Sequence, residues 1–191
     1  MIAEHPAPQD TEWPQGTIFT VGHSTLRIEH FIRLLQTYGI RRLVDIRTIP
    51  RSRHNPQFND SVLANSLAVA HLEYVHCPAL GGLRHPSRAS RNSGWRNKSF
   101  RGYADYMQTD QFAAALQALV RMSHQGRLAI MCAEAVPWRC HRSLVADALN
   151  IRGIPVVEIL SEIAYRMHQL TSFARVKGLQ ITYPPEQATR L

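Results

Sequence analysis

Cys132, Glu134, Arg139, Cys140, His141 and Arg142 crowd into one stretch, RLAIMCAEAVPWRCHRSLVADAL, which runs from Arg127 to Leu149. Thiols supply nucleophiles or soft metal ligands, carboxylates and imidazoles move protons, and arginines grip phosphate or carboxylate. Ahead of this group, Leu128 to Cys132 is an apolar run long enough for one buried strand. Behind it, Leu144, Val145, Ala148 and Leu149 recur at helical spacing. The turn from a strand's carboxyl end into the next helix is where α/β proteins usually bind ligands.

Two further turns carry unusual residues. Gly22-His23-Ser24-Thr25 follows the apolar run Thr17 to Val21, and the polar, basic loop Asp45 to His54 follows Leu43 to Ile46. In a parallel sheet all three turns lie at one edge, so residues distant in sequence converge on one crevice. His23 is either a general acid or base near neutral pH or a brace for its loop. Asp45 is either a base or the carboxylate that orients Arg47. Glu134, in a loop rather than on a solvated helix face, is the best-placed catalytic carboxylate.

Arg47, Arg53, Arg139 and Arg142 are expected to hold an anion, with Ser24 and His141 beside them. If Pro137 takes the first helical position, Arg139 and Arg142 fall in the first turn of the following helix. Cations there oppose the helix dipole by roughly 0.3–1 kcal/mol each, a cost that a bound anion reverses. Replacing Arg142 by alanine is then expected to weaken binding without unfolding the protein. Cys140 and Cys132 are either small core residues or thiols whose pKa a helix N-terminus and arginines depress. The spacing C-x-E-x5-C-H over Cys132, Glu134, Cys140 and His141 matches no strong metal-ligand pattern. Adjacent Cys140 and His141 would also point to different sides of a helix, so no metal site is assigned. Nor does any stretch indicate a particular cofactor. Six residues separate Cys132 from Arg139, one more than a cysteine-phosphatase or rhodanese-like loop has between its cysteine and arginine.

Composition sets the frame. The chain has 191 residues and a formal charge of +8, with 45% hydrophobic and 19% charged residues. That length fits one domain with a proper core. Lys98 and Lys177 are its lysines and the other basic residues are arginines. The charge favours an anionic partner, a nucleotide or nucleic acid. No apolar run approaches the roughly 20 residues of a membrane span. The N-terminal stretch lacks a secretory pattern and the cysteines form no disulfide framework, so a cytoplasmic location is expected. Oligomeric state is not legible.

The positioning elements follow in order. Residues 1–16 read as a flexible tail, residues 17–183 as one α/β domain, and residues 184–191 as a C-terminal tail. A helix with Phe31, Leu34, Leu35 and Tyr38 on one stripe starts at Ser24 or Thr25 and stops at Gly39. It links the first two strands as a βαβ unit. Asp60 caps a second helix carrying Leu63 and Leu67, and a third strand spans Leu72 to Val75. Residues 83–101 are long, basic and unpatterned, with Trp95 and Phe100 among arginines, as in a nucleic-acid contact surface. A short helix begins at Ser99, and a longer one, capped by Thr109 or Asp110, ends near Gly126. Pro155 to Leu160 is another strand, Ser161 caps a last helix, and Leu179 to Tyr183 is an edge strand. The fold expected is a three-layer, Rossmann-like single domain with a mostly parallel sheet of about five strands.

The same residues resemble a known set. Gly22-His23-Ser24, Asp45-Ile46-Arg47 with Pro50, Ser52 and Arg53, Leu80-Gly81-Gly82, and Cys132-Ala133-Glu134 with Pro137 and Cys140-His141-Arg142 are similar to the signature of the prokaryotic domain of unknown function 488 family. The resemblance spans about residues 17 to 165, without departure at those positions. It implies that the three turns form one shared site. The leading expectation is an enzyme acting on a phosphate-bearing substrate, with His23 and Glu134 as acid and base and Cys140 or Cys132 as nucleophile. The rivals are a non-catalytic nucleic-acid-binding module and a metal-binding or redox-sensing domain.

Overall fold

The computed structural model of the protein describes residue 8 and residues 11–185. The first strand, β1 (Ile18–Gly22), pairs in parallel with β4 (Leu128–Cys132) on one side and β5 (Val156–Ile159) on the other. Beyond β4 lie β2 (Arg42–Asp45) and β3 (Glu73–His76), also parallel. A sixth strand, β6 (Tyr165–Met167), closes the far edge antiparallel to β5. The sheet order is β3-β2-β4-β1-β5-β6, so β4 separates β1 from the β2 that follows it in sequence.

Successive strand residues feed two cores, which is why these strands read as continuous apolar runs rather than alternating ones. Ile18, Val44, Leu128 and Ile130 face one cluster, while Phe19, Val21, Leu43, Ala129 and Met131 face the other. The second cluster is roofed by α1 (Ile28–Thr37), through Phe31, Leu34 and Leu35, and by α2 (Asp60–Val69), through Leu63 and Leu67. The first is roofed by α3 (Lys98–Tyr106), α4 (Asp110–Gln125) and α5 (Arg142–Asn150), through Tyr103, Phe112, Leu116, Leu119 and Leu144. These are the three layers the sequence implies. The helices that leave β1 and β4 depart to opposite faces.

Several local expectations are corrected. The helix after β1 begins at Ile28 with Arg27 at its N-cap; Ser24 and Thr25 belong to the turn instead, where Ser24 takes a positive φ of 46°. Asn59 rather than Asp60 sits at the N-cap of α2. Asn97, not Ser99, caps α3, its side chain accepting from the Ser99 and Phe100 amides. Pro137 heads a separate 3-10 turn, Pro137–Arg139, and α5 starts only at Arg142. No helix follows Ser161: that segment runs into β6, whose Tyr165 is buried and whose Arg166 and Met167 are exposed. Residues 179–183 do not edge the main sheet. Residues 180–182 form β8 (Gln180–Thr182), which pairs antiparallel with β7 (Arg175–Lys177).

Part of the N-terminal tail is held down. Trp13 packs edge-on against Phe19 and Tyr165, at 5.2 and 5.0 Å between ring centroids. The remaining tail expectations, residues 1–7, 9–10 and 186–191, lie outside the described residues. Among the described residues no helix is long and apolar enough to cross a membrane.

Candidate functional site

The turns after β1, β2, β3 and β4 surround one crevice of about 600 Å³ at the carboxyl edge of the sheet. His23, Ser24 and Thr25 come from the first turn and Arg47, Thr48, Ile49, Arg51, Ser52 and Asn55 from the second. Gly82 and Leu83 come from the third, and Cys132 to Ala135 with His141 from the fourth. Backbone contact locks two of these turns together. His23 N donates to Cys132 O at 3.0 Å and Ser24 N to Ala133 O at 2.9 Å. A side chain at Gly22 would collide with Glu134 O, since its Cβ would fall 1.9 Å away, so this approach requires glycine.

His23 is braced rather than free. Its ring stacks on Phe58 at 4.1 Å, its Nδ1 donates to Ser24 O at 2.8 Å, and its Nε2 accepts from Arg47 Nη1 at 3.2 Å. Burial, with the Arg47 charge adding to it, lowers its pKa from 6.5 to about 4 despite the Ser24 carbonyl. At neutral pH the ring is uncharged and both nitrogens have partners, the bracing arrangement that is one of the two roles its place in the sequence offers.

Arg47 is likewise consumed. Its Nε donates to both Asp45 oxygens at 2.9 and 3.1 Å, and its Nη2 donates to Asp45 Oδ2 at 2.5 Å and Phe58 O at 2.8 Å. Asp45 is fully buried and also accepts from Tyr74 Oη at 2.9 Å. It is therefore the carboxylate that orients Arg47, and it does not line the crevice.

Arg142 departs furthest from expectation. It is 0% exposed and lies beneath the crevice. Its Nη2 donates to Glu134 O at 2.5 Å and Ala135 O at 3.4 Å, and its Nη1 donates to Thr20 Oγ1 at 3.3 Å. Its Nε is buried with no partner among the described residues. So placed, it holds the 134–135 loop against β1 and does not reach a ligand in the crevice. Arg53 and Arg139 are exposed but outside the crevice lining. Arg51 does line it, is exposed, and makes no hydrogen bond or ion pair with any described residue. Sequence reasoning missed Arg51 as a site residue, because its type and loop are shared with Arg47 and Arg53 and only the fold separates them.

Glu134 is exposed at the rim, one carboxylate oxygen accepting from Val136 N at 3.1 Å. Below it, Cys132, Cys140 and His141 converge, with their ligand atoms all within 4.8 Å of one another. His141 Nδ1 lies 3.7 Å from Cys140 Sγ and 4.0 Å from Cys132 Sγ, and its Nε2 is buried without a partner among the described residues. Cys140 is extended (φ −124°, ψ 147°), standing between the 3-10 turn and α5. It thus escapes the helical geometry that would have turned it away from His141. The neighbouring Cys132 thiol, with His141 and Arg142, holds the Cys140 thiol well below its usual range against the opposing effect of burial. The neighbouring Cys140, then burial, push Cys132 up. Gly82 closes over the imidazole, where an added Cβ would lie 3.1 Å from His141 Nδ1.

The two aromatics of the basic 83–101 segment, both partly buried, pack toward the core. Trp95 packs against Phe100, Phe173 and Tyr183 at 4.8, 4.9 and 5.5 Å. Arg101 donates twice to Trp95 O, and Arg84 lies over the Tyr106 ring at 3.7 Å. Arg88, Arg91 and Arg96 remain exposed.

The family model described as Domain of unknown function DUF488 matches residues 27–149. The matched span runs from the N-cap of α1 almost to the end of α5. It takes in the turns after β2, β3 and β4 and leaves out the one after β1. No curated protein and no solved structure matches the chain.

Proposed function

The chain belongs to the family of domains of unknown function DUF488, and on the geometry of its shared crevice we propose that it is an enzyme acting on a small phosphate-bearing substrate such as a nucleotide. The observation that carries this is Arg51. It is a guanidinium on the crevice wall without a partner among the described residues, in a loop whose other inward arginine is already neutralised by Asp45. A planar fork of donors left open suits a phosphate. Ser24 and Ser52 stand on the same walls as neutral donors, and the exposed apolar side chains of Ile49 and Leu83 offer the non-phosphate part of a substrate a surface. Glu134 at the rim is the group placed to take or return a proton.

Calorimetric titration with inorganic phosphate and mononucleotides tests the reading. Charge-assisted hydrogen bonds contribute about 1.5–3 kcal/mol, so Arg51→Ala should weaken binding by about 10- to 100-fold. Glu134→Gln should bind normally and lose turnover. Absence of binding in the unaltered protein, or equal affinity in Arg51→Ala, overturns the proposal. Exposed Arg88, Arg91 and Arg96 favour a second reading, a nucleic-acid-binding module. Oligonucleotide affinity that falls steeply with salt and ignores Arg51→Ala would select it.

A further inference from the structure

The side-chain cluster at the crevice floor has a use that anion binding does not absorb. Cys132 closes β4, Cys140 follows the 3-10 turn and His141 is the N-cap of α5, so three separate backbone conformations aim their donor atoms at one point. We propose that Cys132, Cys140 and His141 form a three-ligand site for a thiophilic divalent ion of the zinc type, with its open fourth position facing the crevice.

The distances fit. Tetrahedral zinc with bonds of about 2.3 Å to sulfur and about 2.0 Å to nitrogen separates those ligands by about 3.6 Å. The two sulfur-to-nitrogen separations are 3.7 and 4.0 Å. A few tenths of an ångström of closure bring those two separations to coordination distance, and the two sulfurs, within 4.8 Å of one another, need no more than about 1 Å to reach the roughly 3.8 Å of a tetrahedral pair. Two thiolates and an imidazole are also the soft donor set that zinc prefers to magnesium or calcium. Structural zinc sites present four protein ligands, whereas three with an open position is the catalytic arrangement. Here Cys140 lies buried below, while Cys132 and His141 line the crevice, so the open position looks into it.

Charge also balances. Binding releases the thiol protons to solvent, leaving two thiolates against one divalent ion with no change of oxidation state. The fully buried Arg142 then leaves the floor with a net single positive charge, which suits an anion entering from above. The inference stands on the ligand set and does not depend on what the crevice binds.

Cobalt(II) titrated anaerobically into the reduced full chain tests it. One equivalent should produce thiolate-to-cobalt charge-transfer and tetrahedral d–d bands, which zinc(II) should bleach. Cys132→Ser and Cys140→Ser should lose the charge-transfer band, and Cys77→Ser, outside the cluster, should keep it. No such band in the unaltered protein, or an unchanged band in the Cys132→Ser/Cys140→Ser double variant, overturns the proposal. Should Cys140→Ser fail to fold, alkylation of the unaltered protein still decides. Zinc should slow modification of Cys132 but not of Cys77, and equal rates with and without zinc overturn the site. Phosphate titration of Arg51→Ala reports on the anion reading separately.

Discussion

Among the described residues two histidines are almost completely buried, and their pKa values move in opposite directions. His23, 2% exposed, falls to about 4, whereas His168, 8% exposed, rises to about 9. Burial pushes both down. Around His168 that push is overcome by Asp147 Oδ1, at 2.8 Å from Nε2, and Glu158 Oε1, at 2.8 Å from Nδ1. Every neighbour there is matched in turn. Asp147 also accepts from Thr171 N, Thr171 Oγ1 and Tyr183 Oη at 3.0, 2.7 and 2.8 Å, and Glu158 also pairs with Arg166. Around His23 the nearest charge is an arginine, and the adjoining floor keeps nitrogens on His141 and Arg142 that have no partner among the described residues. Identical residue types thus make a closed network under β5 and β6 and an open one at the ends of β1 and β4. A saturated cluster has nothing left to offer a ligand, and an unsaturated one does.

The largest expected effect breaks the closed network. Asp147→Ala strips Thr171 and Tyr183 of their acceptor and His168 of one of its two, and should lower unfolding free energy by about 3–5 kcal/mol. Urea denaturation measures this, and phosphate affinity of the folded fraction should not change. A stable variant with impaired binding would erase the distinction between the two regions.

Next comes pH. His168 has a folded pKa above its unfolded value, so its contribution is complete below about pH 6.5 and is lost as pH climbs through 9. His23 has a folded pKa below its unfolded value, so its contribution is complete above about pH 6.5 and is lost as pH drops through 4. Each limb is worth on the order of 3 kcal/mol at about 1.4 kcal/mol per unit. For these two groups stability peaks near pH 6.5. Denaturation curves should show His168→Gln flattening the alkaline limb alone and His23→Gln the acid limb alone.

Arg142→Ala should follow at about 2 kcal/mol of stability, from orphaned Glu134 and Ala135 carbonyls. Affinity should fall with it, because the loop at 134–135 is released. Unchanged stability with lost binding would return Arg142 to the anion-holding role its sequence position suggests. Smallest of all, Glu134→Gln at the exposed rim should shift stability by less than about 0.5 kcal/mol in thermal or urea unfolding.

The legibility of the molecule follows the same division. Strands buried on both faces are legible as apolar runs, and the amphipathic helices are legible because α1 and α4 each bury one stripe. The convergence of the turns is legible from parallel topology. The fates of individual arginines are not: Arg47, Arg51 and Arg53 share a loop, yet one is neutralised, one lines the crevice and one is exposed outside its lining. Which donors remain free depends on Asp45, Phe58 and Tyr74, whose arrival no local pattern signals. Spacing also misleads at Cys140. A helical register separates it from His141, and the short turn begun by Pro137 brings them together. Ser161 offers a helix N-cap that the chain does not use, because β6 instead buries Tyr165 beside Trp13 and Tyr38.

One consequence follows from the opposite departures of the helices after β1 and β4. Where neighbouring strands send their chains to opposite sides, the backbone itself leaves a gap, whatever side chains line it. The cavity is thus inherited from strand order, while Arg51 and Glu134 are tenants of loops that carry little of the core. Such a scaffold can exchange its chemistry by loop substitution without having to invent a new pocket, a division of labour that would let relatives with the same sheet act on different molecules.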